Sequence, residues 1–163
     1  MERLILAPVS FATILVGKVL GGAVFGMVIA GVMTLLSLVF LNATVTHPVL
    51  FIAVLILTVL AHSALGALVA VSVKEVFEAQ TLSNYLRFPM VFLCGVFLPV
   101  EAMPLPVQVL AHLLPLTYSV EALRQTLTGP LNHLLVLRDV ATLTLFLIVF
   151  LTLATRSLKK SLE

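Results

Sequence analysis

Residues 88–130 read FPMVFLCGVFLPVEAMPLPVQVLAHLLPLTYSVEALRQTLTGP. This stretch is almost as apolar as the long hydrophobic runs before it, yet it holds six of the eight prolines and also Glu101, Glu121 and Arg124. Proline has no amide proton and interrupts helical pairing. Inside a bilayer, broken backbone is tolerated only where protein or a polar cavity shields it. The stretch therefore predicts a short span followed by a bent, partly inserted hairpin.

The rest of the chain supplies the membrane setting. Hydrophobic residues make up 61% of the 163 and charged residues 10%, against about 25% charged in soluble domains. Residues 19–41 and 49–73 carry no Asp, Glu, Lys or Arg. As helices they would be roughly 34–38 Å long, enough for a ~30 Å hydrocarbon core. A third span is expected over 80–98, borrowing the polar residues 81–87 because 88–98 alone is too short. A fourth is expected over 139–156. Within 101–130, two short helical pieces are expected near 105–113 and 118–128, hinged at Pro115. The fold class that follows is all-α: a polytopic helical membrane bundle of about four spans, with an interfacial helix over 2–16 and a re-entrant hairpin over 101–130, in one domain covering 1–163.

Basic residues orient the bundle. With a cytoplasmic N-terminus, Arg3, Lys18, Lys74, Arg156, Lys159 and Lys160 all face inward, and only Arg124 and Arg138 face outward. The opposite orientation would reverse that bias against the positive-inside rule. Both termini are accordingly expected in the cytoplasm, with the hairpin outside a plasma membrane. The small net charge of +2 gives no reason to expect a nucleic-acid partner.

Two passages resemble the membrane domain of type-2 ABC transporters, the exporter permease family. The first is Glu2-Arg3-Leu4-Ile5-Leu6-Ala7-Pro8-Val9-Ser10, followed by Gly17-Lys18-Val19-Leu20. It is similar to the family's cytoplasmic segment ahead of the third membrane helix. The second is Pro89-Met90-Val91-Phe92-Leu93-Cys94-Gly95-Val96-Phe97-Leu98-Pro99, with Met103-Pro104, Leu114-Pro115-Leu116-Thr117-Tyr118 and Glu121-Ala122-Leu123-Arg124. It is similar to the family's fifth helix, re-entrant outer hairpin and approach to the sixth helix. The resemblance covers essentially the whole chain but only the last four of the family's six helices. Phe11 and Cys94 stand where the family commonly has polar or small hydroxyl residues.

The resemblance implies an exporter permease subunit moving a hydrophobic or amphipathic cargo, of the drug, lipid or polysaccharide class. The alternative is a truncated, non-transporting fragment or an accessory protein. Implied partners are an ABC ATP-binding subunit, a second permease half and the lipid bilayer. ATP would sit on the partner: the chain has no phosphate-binding Gly-Lys-Thr loop, and no cofactor, metal or catalytic residue is expected on it. Glu2, Arg3, Pro8 and Ser10 would form the ATPase-coupling segment; the competing reading is an interfacial anchor.

Pro99, Pro104, Pro115, Tyr118, Glu121 and Arg124 would form an extracellular gate. Glu121 and Arg124 are three apart, so they are neighbours on one helical face and candidates for an ion pair that holds the hairpin. Gly22, Gly26 and Ala30 recur every four residues, as do Gly17 and Gly21, which suits close helix packing. His62 lies mid-span beside Ser63. Arg87 lies inside the shortest span, where it either snorkels to the headgroups or lines a polar cavity. Adjacent His62 and Ser63 point to different helix faces and make no ready catalytic dyad.

Overall fold

The computed structural model describes residues 11–41, 44–73, 75–127 and 131–160. Among these there are six α-helices and no strand: α1 (Phe11–Phe40), α2 (Pro48–Ser72), α3 (Val76–Leu93), α4 (Leu105–His112), α5 (Pro115–Leu127) and α6 (His133–Lys160). A single 3-10 turn, Val100–Ala102, precedes α4. The all-helical class expected from the sequence is the one observed.

Among the described residues, three helices are long and apolar enough to cross a membrane: Thr13–Phe40 within α1, Pro48–Ser72, and His133–Leu158 within α6. The sequence reading has four spans, and α3 makes the difference. It stops at Leu93 rather than 98, and its 18 residues rise only about 27 Å. Its first twelve residues carry Glu78, Gln80, Ser83, Asn84 and Arg87. Pro89 lies within α3 and cannot donate to the helix ladder.

The other boundaries shift for identifiable reasons. Residues 11–16, expected in a separate interfacial helix, are the opening turns of α1, which runs without a break through Gly17. Residues 2–10 of that expected helix, including Glu2, Arg3, Pro8 and Ser10, lie outside the described residues. Pro115 is not the hinge between the two short helices but the first residue of α5. There its missing amide proton costs nothing and its fixed φ suits the first turn. α6 begins at His133, six residues before the expected 139, because Asn132 caps it. The Leu134 and Leu135 amides donate to Asn132 Oδ1 at 3.2 and 3.4 Å.

α2 is the centre of the bundle, packing against α6, α1, α5 and α3. Small residues make this possible: Ala61 and Ala64 on α2 and Ala154 on α6 are fully buried. At the Lys18 end of the bundle, Leu15 and Val19 of α1 pack with Ala64, Ala67 and Ala154, flanked by Phe150 and Leu151. α1 touches neighbours along one side only; Val24, Phe25, Val28 and Met33 on its other sides are exposed.

Candidate functional site: a tied hairpin above an apolar cavity

The hairpin begins where α3 ends. The Cys94 amide donates to Met90 O at 3.0 Å, and Gly95 then takes φ +86, a left-handed conformation that glycine adopts without steric cost. Residues 96–99 lead to the 3-10 turn, where the Ala102 amide donates to Pro99 O at 3.0 Å. Pro104 starts α4 by accepting from the Val107 and Gln108 amides at 2.9 and 3.1 Å. Gln108 Nε2 then reaches back to Met103 O at 2.8 Å.

The corner between α4 and α5 is held by two hydroxyls. α4 ends with unsatisfied carbonyls, as every helix does. Thr117 Oγ1 donates to Ala111 O at 2.6 Å, and Tyr118 OH to His112 O at 2.8 Å. The Tyr118 ring lies 6.2 Å from that of Phe146 on α6, so α5 and α6 also meet through aromatic faces. At its far end, α5 receives the loop before α2: the His47 amide donates to Thr126 O and Thr46 Oγ1 to Leu127 O, both at 3.1 Å. Pro99, Pro104, Pro115 and Tyr118, expected in a gate, are thus all at turns or helix ends of one hairpin.

The charges pair differently from the expectation. Glu121 is bound not to Arg124 but to Arg138, with 2.6 Å between Oε2 and Nη2. Arg138 also donates to Asp139 Oδ1 at 2.7 Å from Nη2 and 2.9 Å from Nε. Asp139 is 1% exposed, and among the described residues its Oδ2 has no hydrogen-bond partner. Arg124 instead donates from Nη2 to Gly95 O at 2.7 Å, joining α5 to the turn that ends α3. Burial raises the Glu121 carboxyl above the usual carboxylate range, and the negative charge of Asp139 adds to this; Arg138 opposes both. Arg138 and Asp139 were not singled out from the sequence. Asn132 was the available signal, since a cap there puts both inside α6.

Below the hairpin lie two cavities of about 540 and 170 Å³. The larger runs between α1 and α2, the smaller between α2 and α3, and His62, Gly66 and Leu116 line both. Leu116 is the second residue of α5, so the tip of the hairpin touches both spaces. Gly22 and Gly26 line the larger cavity and allow α1 to approach α2. A Cβ at Gly22 would run into Ser63 Oγ, and one at Gly26 would lie 2.9 Å from Val59 Cγ1. Ser63 Oγ donates to Val19 O across the two helices at 2.7 Å. Ala30 is half-buried one turn further on. Gly17 and Gly21, expected as a second packing pair, face open space.

His62 Nδ1 lies 2.8 Å from Thr58 O, while Nε2 and Thr58 Oγ1 are buried with no partner among the described residues. Lys18 lines the larger cavity and Arg87 the smaller. An arginine at the centre of a membrane helix costs about 2.5–3.5 kcal/mol on insertion scales. Arg87, twelfth in α3, stands about 16 Å from its start and is exposed beside this cavity. Among the described residues no group of His, Cys, Asp and Glu has metal-binding geometry.

Comparison with known proteins gives a consistent set of matches. The family model for ABC-2 type transporters matches residues 1–128. The inner membrane transport permease YadH of Escherichia coli (strain K12) is 30% identical over 151 residues, and the protein of that name in Shigella flexneri matches equally. The alignment covers 92% of this chain and 58% of each relative, so the chain spans less than two thirds of their length. No solved structure matches the chain significantly.

Proposed function

The chain belongs to the ABC-2 type transporter family, and we propose that it acts as the membrane-spanning permease subunit of an ATP-driven exporter. Its three long apolar helices make it a multi-pass membrane protein. The observation that carries the transport reading is the stacking of a tied hairpin over a largely apolar cavity, with Leu116 common to both. A packed structural hairpin would need no such space beneath it.

In this reading the hairpin is the outer gate. Its closed position is held by Arg124 on Gly95 and by Glu121 on Arg138, ties to α3 and α6 respectively. Opening requires α5 to move relative to both helices, which breaks those contacts and withdraws Leu116 from the cavities. A hydrophobic or amphipathic cargo, held against α2, would then leave toward the hairpin side. ATP would act only through a separate ATP-binding subunit, by favouring one helix packing over the other. The segment with Glu2, Arg3, Pro8 and Ser10 would receive that motion on the cytoplasmic side. Both termini would be cytoplasmic, the membrane the plasma membrane, and a second permease half would complete the path.

Co-expression with an ABC ATP-binding subunit, followed by reconstitution into proteoliposomes, tests this. The expected result is co-purification and ATP turnover that falls when the hairpin is crosslinked to α3 through Gly95→Cys and Arg124→Cys. Turnover indifferent to that crosslink would remove the gate from the mechanism. Failure of the two subunits to associate would remove the permease role.

A further inference from the structure

Asp139 is the chain's sole aspartate, and its side chain is 1% exposed. Both donations from Arg138, from Nη2 at 2.7 Å and from Nε at 2.9 Å, go to the same oxygen, Oδ1. Oδ2 is buried and meets no donor among the described residues. Glu121, 23% exposed, holds the same guanidinium at 2.6 Å. One cation thus faces two carboxylates, and a buried charge without compensation is costly. The surrounding groups do not supply the missing charge. His112 on α4 acts on both carboxyls, and Glu101 on the 3-10 turn acts on Glu121; Tyr118 on α5 stands beside the triad. Among the described residues His112 makes no ion pair with either carboxylate. Of the helices packed on α6, α2 carries only His62 and α1 only Lys18 as titratable groups, and neither acts on Asp139. Lys18 lies between Leu15 and Val19, which pack at Ala154, about 22 Å along α6 from Asp139.

We propose that Asp139 is a proton-binding site: its Oδ2 carries a proton while Glu121 holds Arg138, and opening of the hairpin releases that proton. A protonated carboxyl has one carbonyl oxygen that accepts and one hydroxyl. That is the division seen between Oδ1, which takes both guanidinium bonds, and Oδ2, which takes none. A proton also fits where nothing larger does. Oδ2 is sealed from solvent and Asp139 lines neither cavity, whereas a water molecule needs a space of its own. An unpaired hydroxyl there costs far less than an unpaired charge. With the proton in place the triad is neutral, because Arg138 balances Glu121 alone. Sharing one guanidinium couples the two titrations. The first proton goes to Asp139, the more buried carboxyl; Glu121, raised by burial above the usual carboxylate range, takes the next. The release step rests on the gate reading. When α5 leaves α6, Glu121 withdraws, the Oδ2 proton passes to solvent, and the Asp139 carboxylate takes the whole charge of Arg138. Proton binding and hairpin closure then favour each other reciprocally.

Because Asp139 is the sole aspartate, an isotope label on the aspartate side-chain carboxyl carbon reports on it alone. The test follows that label by infrared or NMR spectroscopy as pH is varied, with the full chain in lipid nanodiscs. Wild type should show a protonated carboxyl at neutral pH, and an ionised one would overturn the proposal. Glu121→Gln keeps an acceptor for Arg138 but removes the competing charge, as opening does. It should weaken proton binding by Asp139 about tenfold, the effect of one like charge at this range; an unmoved titration would overturn the coupling to the hairpin. Asp139→Asn reproduces the acceptor and donor of the protonated form, so its unfolding midpoint at neutral pH should lie close to wild type. A large fall would show Asp139 to be the ionised partner of Arg138 and defeat the proposal. None of these readings needs an ATP-binding subunit. An ionised Asp139 therefore leaves the permease role standing, and failed association with that subunit leaves the proton site standing.

Discussion

Arg124 on α5 donates to the backbone carbonyl of Gly95 at 2.7 Å, across 29 residues of sequence. The carbonyl is available because Gly95 turns the chain out of α3 at positive φ, and a residue with a side chain would adopt that φ only under strain. One bond thus joins the helix end, the turn and the returning arm of the hairpin.

Arg124→Ala should therefore loosen the hairpin. A hydrogen bond from a charged donor contributes about 1.5–3 kcal/mol, and the lower part of that range is expected for a partly exposed site. Thermal unfolding in detergent should show a lower midpoint, and proteolysis within 96–114 should become faster. Unchanged cleavage would show that Arg124 does not hold the hairpin.

Gly95→Ala tests the other partner. The left-handed conformation costs a non-glycine residue about 1–2 kcal/mol, and the new Cβ would meet Val100 Cγ2 at 3.2 Å. The midpoint should fall, and combining Gly95→Ala with Arg124→Ala should cost less than the sum of the two. Strict additivity would mean the two residues are not coupled.

Acidification should act through Glu121. Its carboxyl is raised in the folded chain, so folded Glu121 holds its proton to a higher pH than unfolded Glu121. As pH rises from the ordinary glutamate range to this raised value, the unfolded state loses the proton first. The contribution of Glu121 to stability therefore falls with rising pH through that window and is restored on acidification. The unfolding midpoint of wild type relative to Glu121→Gln should decline across the window; parallel pH curves would contradict it.

Glycine substitutions on α1 should divide by face. Gly22→Leu and Gly26→Leu push against Ser63 and Val59 and should destabilise by about 1–3 kcal/mol. Gly17→Leu and Gly21→Leu meet nothing within the chain and should leave its unfolding midpoint nearly unchanged. Equal effects at all four positions would refute the packing of α1 on α2.

Several of these features are written locally, and others depend on distant partners. The apolar runs around 19–41 and 49–73, the prolines at 89–115 and the scarcity of charge determined a helical membrane bundle with a broken hairpin. Composition and chain connectivity within a few residues suffice for that, because a bilayer leaves the backbone few alternatives. The start of α6 was also local, in the Asn132 cap that lies seven residues before the expected 139. Which charge Glu121 would hold was not local. Arg124 lies three residues away on the same helix, yet Arg138, 17 residues on, takes the bond because α6 packs along α5. Likewise the four-residue glycine spacing is the same for Gly17 and Gly21 as for Gly22 and Gly26, and only the position of α2 separates them. The sequence by itself determined the class, the helices and the place of the hairpin. The tertiary structure decided the partners of its charges and the cavity beneath it, since pairing and empty space depend on how separate helices pack.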